Sequence, residues 1–208
     1  MVEIEQLKGH HKEGFGKFIN EPSKEQLNLY FYLNDSDKEV IAKMKKSSTK
    51  LGFAVQLGTV RFLGCFTSDF ETLPIVVIQH LAAQLNIDYK EFYGYTRKQT
   101  IWQHMKLIQD YYNYVLFTDN AVEKYLSDWL LDRSWYTTET DNMLFDMLLK
   151  KCLDEKIILP GFSTFERFVS KIIDSSEKQL YKLLSEIPAT SEVERLLGSR
   201  ALSGNLYR

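Results

Sequence analysis

Two cysteines in 208 residues are too few for a disulfide framework, and four prolines and ten glycines are too sparse for a turn-rich β architecture. No apolar run reaches the roughly 18 residues that a bilayer-spanning helix needs. The opening, MVEIEQLKGHHKEG, is polar where a signal peptide carries an apolar centre. No segment sustains alternation at period two, so strands are not expected, and there is neither an internal repeat nor a low-complexity tract. Sequences that announce an active site are missing too: no GxSxG, no HExxH, no Walker loop and no Cys–His pairing. What remains is a soluble helical protein with no membrane partner and no cofactor. It is expected in the cytoplasm, with Cys65 and Cys152 reduced and buried.

The residues present fit packed helices. A chain that is 44% apolar and 13% aromatic can bury a sizeable core, as one domain or two small ones. Helix starts are legible from capping-box spacing, in which two residues three places apart satisfy each other's free amides. Ser23 with Gln26, Ser36 with Glu39, Asn120 with Glu123 and Ser163 with Glu166 all fit. Pro74 suits the first turn of a helix carrying Ile75, Ile78, Leu81 and Leu85. The longest apolar stripe runs through Phe165, Phe168, Val169, Ile172, Ile173, Leu180 and Leu184 to Ile187, and Pro188 stops it. A break is expected where a positive-leaning half gives way to an acidic one, dividing the chain into an N-terminal segment 1–20, a first helical subdomain 21–116 and a second, closely packed one at 117–208. The expected fold class is all-α, a multi-helix orthogonal bundle with helix-turn-helix-like elements.

The net charge of −2 argues against a generic nucleic-acid sponge, but the distribution is uneven. Lys38 to Arg61 holds six basic residues against one acid, and Phe117 to Glu155 holds four against nine acids. One face can thus meet phosphate while another is turned from it, or both are ordinary solvated helix surfaces.

The stretch Lys50–Phe66, KLGFAVQLGTVRFLGCF, carries apolar residues on two sides: Leu51, Val55, Gly58 and Phe62 on one, Phe53, Leu57 and Val60 on the other. It reads as a helix buried between neighbours. Lys50 and Arg61 share one stripe, about 16 Å apart along the axis. Further on, Arg97 and His104 share a helix face seven residues apart, with Trp102 and Lys106 on the same helix. Such a set reads either as a backbone-contacting surface or as the charged side of an amphipathic helix.

Other polar features carry less. His10-His11 has no further ligand at metal spacing. Gly14-Phe15-Gly16 lacks the third glycine of a phosphate turn. His80 reads as a partly buried, hydrogen-bonded histidine. Glu139, Asp141, Asp146, Asp154 and Glu155 cluster on neighbouring turns, as on a solvated face, whereas a two-metal site needs carboxylates converging from separate elements. No catalytic or metal-binding centre is expected.

The order of LGFAVQL, VRFLG and a Pro-started helix ending in HLAAQLNI resembles the N-terminal region of Tn-three family replicative transposases. Tyr30-Phe31-Tyr32-Leu33 and the acidic helix start at 35–37 precede these segments in that family's order. Arg97, Thr100, His104 and LPGFSTFERFVSKI follow them, so that the resemblance covers residues 20–190 or so. The resemblance implies a bacterial DNA-recognition module that binds the double-stranded terminal inverted repeats of a transposon and is nucleoid-associated when bound. It also implies a much longer transposase whose strand-transfer carboxylates lie in a distant domain, so that this chain, an expressed fragment or a truncated gene product, is not itself an enzyme.

The expected DNA contacts are Lys45, Lys46, Lys50, Arg61, Arg97, Lys98, His104, Lys106 and Arg167. Arg167 stands at a helix start whose free amides are suited to a phosphate. The remainder of the transposase chain is the other expected partner, along with a homodimer. The alternative is a helical protein-interaction or dimerisation module without specific DNA readout, built on the acidic 117–155 stretch and the long helix after it.

Overall fold

The computed structural model describes residues 14–67, 69–136 and 140–185. Among them the helices are α1 (Lys24–Tyr30), α2 (Asp35–Ala42), α3 (Ser47–Leu63), α4 (Ile75–Leu85), α5 (Lys98–Tyr112), α6 (Asn120–Tyr136), α7 (Asp141–Asp154) and α8 (Phe162–Ser185), with a 3-10 turn at Tyr89–Gly94. The fold is all-α. Two strands of two residues each, β1 (Val115–Leu116) and β2 (Ile157–Ile158), pair in parallel. They run against the expectation of no strands, and two residues are too few to display an alternation.

The helix starts correct the reading of the sequence in detail. Ser23 and Gln26 form the expected capping box. At α2 the box is Asn34 with Asp37, not Ser36 with Glu39. Both pairs have the right spacing, and Asp37 wins because its carboxylate is anchored in the interior as well. Asp119 caps α6, its Oδ1 accepting from the Ala121 amide at 2.9 Å, one residue ahead of the expected Asn120. At α8 the Gly161 carbonyl accepts from Thr164 and Phe165, so Ser163 lies inside the first turn and does not open it.

The first core is built around α3. All ten residues from Leu51 to Val60 are buried, and α1, α2, α4, α5 and the 3-10 turn pack on the helix. Two glycines permit close approaches. A Cβ on Gly58 would stand 2.3 Å from the Phe31 ring, and one on Gly52 would stand 2.3 Å from the Tyr95 ring. The second core is formed by α6, α7 and α8, where Phe117, Phe145 and Phe165 meet in edge and tilted contacts. Phe15 belongs to this second core, while Phe18, three residues on, packs against the first.

Hydrogen bonds to backbone carbonyls tie the cores together. The β pair spans the crossover made by α6 and α7, the Leu159 amide donates to the Gly64 carbonyl at 2.9 Å, and Lys156 Nζ donates to the Tyr112 carbonyl at 3.2 Å. Ile158 faces the first core, and its neighbours Ile157 and Leu159 face the second. The long apolar stripe of α8 is buried only from Phe165 to Ser176. Beyond that point Leu183 is half exposed, and Ile187 and Pro188 lie outside the described residues. Cys152 is buried and Cys65 is half-buried, not fully buried as expected; both are free. Burial raises their thiols to about 12 and about 11, so neither is a ready thiolate.

Candidate nucleic-acid interface

α3 and α5 run side by side in the same direction. Phe53 meets His104 edge-on, with ring centroids 5.4 Å apart, and Arg61 lies over the Tyr112 ring at 5.5 Å. Phe53 to Arg61 and His104 to Tyr112 are the same number of residues, so the helices keep step. Their starts, Ser47 and Lys98, are also equally far before the first contact and therefore stand level. The chain confirms this at close range, because a Cβ on Gly94 would lie 3.2 Å from the Ser48 Cβ, and Gly52 faces Tyr95.

Parallel neighbours place two positive dipole ends side by side, which is unfavourable unless negative charge meets them. Here neither helix supplies any in its first turn. Lys46 is the N-cap of α3 and Arg97 the N-cap of α5; neither makes a side-chain cap, and neither first turn holds an acid. Exposed Lys45 precedes Lys46, half-buried Lys50 closes the first turn of α3, and exposed Lys98 opens α5. None of these five cations has an ion-pair partner among the described residues. The closest acids before α5 are Asp88, which caps the Lys90 amide, and Glu91. Lys45, Lys46, Lys50, Arg97 and Lys98 thus share one end of the first core.

The structure assigns the other expected contacts elsewhere. Arg61 lies about 21 Å along α3 from its start. It donates to Asp37 from both terminal nitrogens, at 3.0 and 2.8 Å, and to the Tyr32 carbonyl at 3.2 Å. Asp37, fully buried, also accepts from the Tyr112 hydroxyl at 2.8 Å and the Asn34 amide at 3.0 Å. Arg61 is therefore committed to an internal cluster joining α2, α3 and α5. His104 turns inward: it is 7% exposed, stacked on Tyr95, and shares a 2.9 Å hydrogen bond with that hydroxyl through Nδ1. Burial lowers its pKa to about 4, so it is neutral at physiological pH and offers phosphate no cation. Lys106 is exposed further along α5, paired with Asp110 at 2.9 Å. Arg167 stands on α8 in the second core, its Nε donating to the Ser163 carbonyl at 3.0 Å.

Two aromatic residues join the cationic end: Trp102, which the sequence set beside Arg97 and Lys106, and Tyr93, which sequence reasoning left out. Tyr93 is 66% exposed in the 3-10 turn, and Trp102 is 65% exposed one turn past Lys98. For Tyr93 the one sequence signal is a position between Lys90 and Arg97. Of the clustered acids, Asp141, Asp154 and Glu155 are exposed as on a solvated face, Asp154 paired with Lys150 and Glu155 with Lys151. Asp146 departs from that expectation, being half-buried with its Oδ1 covered, and Glu139 lies outside the described residues. Among the described residues no three His, Cys, Asp or Glu side chains are grouped to hold a metal ion, and no helix is long and apolar enough to cross a membrane. Burial lowers the His80 pKa, and its Nε2 is buried without the expected hydrogen-bond partner among the described residues.

A family described as "Domain of unknown function (DUF4158)" matches residues 7–172. The chain belongs to this family. Similar proteins are the transposase for transposon gamma-delta of Escherichia coli (strain K12), 34% identical over 89% of this chain, and the transposase for transposon Tn1546 of Enterococcus faecium, 30% identical over 83%. A third is the transposase for transposon Tn3926 of Escherichia coli, 26% identical over 84%. The resemblance to Tn-three family transposases is thereby borne out. This DUF4158 chain spans 19%, 17% and 18% of the length of these relatives, respectively.

Proposed function

We propose that this chain is the DNA-recognising part of a bacterial transposase, binding the double-stranded terminal inverted repeats of a transposon during replicative transposition. The observation that carries the reading is the pair of level, parallel helix starts at Ser47 and Lys98, each opened by a cation and free of acid. A phosphate backbone supplies the missing negative charge, and counterion release makes such binding salt-dependent. The DNA-facing part in this reading is residues 21–116, used in a helix-turn-helix-like manner, with 117–208 turned from the DNA by its acidic surface. The transposase names of the relatives support the context. On this reading strand transfer belongs to the rest of a longer transposase, which is also a partner, and the chain works in the cytoplasm at the nucleoid.

The test is salt-dependent binding to a duplex carrying the terminal repeat of the encoding element, with a scrambled duplex beside it. Reversing Lys45, Lys46 and Lys98 to Glu should lower affinity for both duplexes at least tenfold and flatten the slope of log K against log salt by about 2 to 3. An unchanged slope removes this end of the molecule from the interface. A second reading, a protein-interaction or dimerisation module, is favoured by Tyr181 and Leu183, 59% and 50% exposed near the end of α8. Sedimentation showing a dimer, together with no DNA affinity at low salt, would favour it.

A further inference from the structure

In the reading above the cationic end holds the backbone, and sequence must be read by an element beside it. Resting on that reading, we infer that α5 enters the major groove of duplex DNA and that Gln99 and Gln103 read base edges there.

Elimination within the first core leads to α5. α3 is buried from Leu51 to Val60 and can present no face. α1 is seven residues long and exposes Leu29 beside Glu25. α2 exposes Asp35 in its first turn and Glu39 in its second against a single exposed lysine, Lys38, and phosphates on both sides of a groove would repel those two carboxylates. α4 has neither lysine nor arginine, and its only basic residue, His80, has a lowered pKa. α5 has 15 residues and no acid before Asp110. Its inward side is set by buried His104 and Ile108, with Ile101 and Met105 half-buried. Its outward side presents Lys98, Gln99, Trp102, Gln103 and Lys106 over about two and a half turns, all exposed.

The chemistry of that face suits base readout. Gln99 and Gln103, four residues apart, point the same way one turn from each other. A glutamine amide can donate to and accept from the N7 and N6 positions of adenine together, and an aromatic ring between them meets the thymine methyl group. Cations at the helix start hold the backbone, so the first turns are those brought to the bases. Neither glutamine makes a hydrogen bond within the protein through its side chain among the described residues, so their amides are available.

The experiment is selection of the chain against a pool of random duplexes, sequenced after enrichment, for the unsubstituted protein and for Gln99→Ala, Gln103→Ala and Gln103→Arg. All three substitutions fall on exposed positions, and circular dichroism verifies that helix content is kept. The unsubstituted chain is expected to enrich a motif with an A·T pair at the contacted positions. Each alanine variant should lose preference at one position, with affinity for the selected site down about ten- to a hundredfold and the salt slope unchanged. Gln103→Arg should move that preference from adenine to guanine. The same motif enriched by all four proteins overturns the assignment of α5 and leaves the DNA-binding reading standing. No motif, or no binding, with the unsubstituted chain overturns the end-recognition reading itself, and the inference falls with it.

Discussion

The two cores use charge in opposite ways. The first buries a carboxylate, Asp37, and brings Arg61 and Tyr112 to it from two other helices, while five cations at its far end have no acidic partner among the described residues. Two ion pairs of the second lie one turn apart on a single helix, Lys150–Asp154 exposed and Lys151–Glu155 partly covered. Among the described residues its one fully buried polar residue is Ser176, which shares a hydrogen bond with Ser134 at 2.8 Å. The lesson is about placement, because the region with more positive charge is not positive everywhere. Its one well-connected arginine is structural, and what is left for a partner is concentrated at the paired helix starts.

The contrast can be broken by mutation. Asp37→Ala should destabilise the chain by about 3 to 5 kcal/mol in urea unfolding, since it strands Arg61 and frees the start of α2. Adding Arg61→Ala to that variant should cost little more; two full, additive losses would mean that the cluster is not a unit. A loss below about 1 kcal/mol for Asp37→Ala would erase the distinction between the cores.

Acid sharpens the comparison next. His104 is held neutral in the first core with a pKa of about 4, against an ordinary value of about 6.5. Between those values an unfolded chain takes up a proton that the folded chain refuses, so stability should fall as pH drops from about 6.5 towards about 4. Above about 6.5 this group contributes no slope. In His104→Gln that part of the acid limb should vanish, as followed by thermal melts across the window; a slope identical to the parent's would place the titration elsewhere. The smallest effect belongs to the second core. Asp154→Ala breaks an exposed pair one helical turn apart and should cost no more than about 0.5 kcal/mol. A loss comparable to that of Asp37→Ala would mean that surface pairing carries the second core after all.

Local features were the legible ones. The two-sided apolar pattern of α3, the Ser23–Gln26 cap and the proline before α4 depend on neighbours within a turn or two, and they could be read from spacing. Tertiary partners could not. Arg61 looks like a free cation on a stripe with Lys50 until Asp37, 24 residues away, takes it up. His104 looks like a companion of Arg97 until the ring of Tyr95 covers it. Asn34 and Ser36 offer overlapping caps with the same spacing, and only the buried hydrogen bonds of Asp37 choose between them. Lys45, Lys46, Arg97 and Lys98 were visible individually. That they stand level at one end follows from the parallel packing of α3 and α5, which leaves no mark in either segment.

The absent side chain at position 52 has a consequence for inheritance. Tyr95 lies flat where a Cβ would be, and its hydroxyl and ring both serve His104. A lineage that replaces the glycine must displace the tyrosine, and displacing the tyrosine leaves a buried imidazole without its bond. Positions 52, 95 and 104 should therefore drift as one character across related chains, changing together or staying as they are.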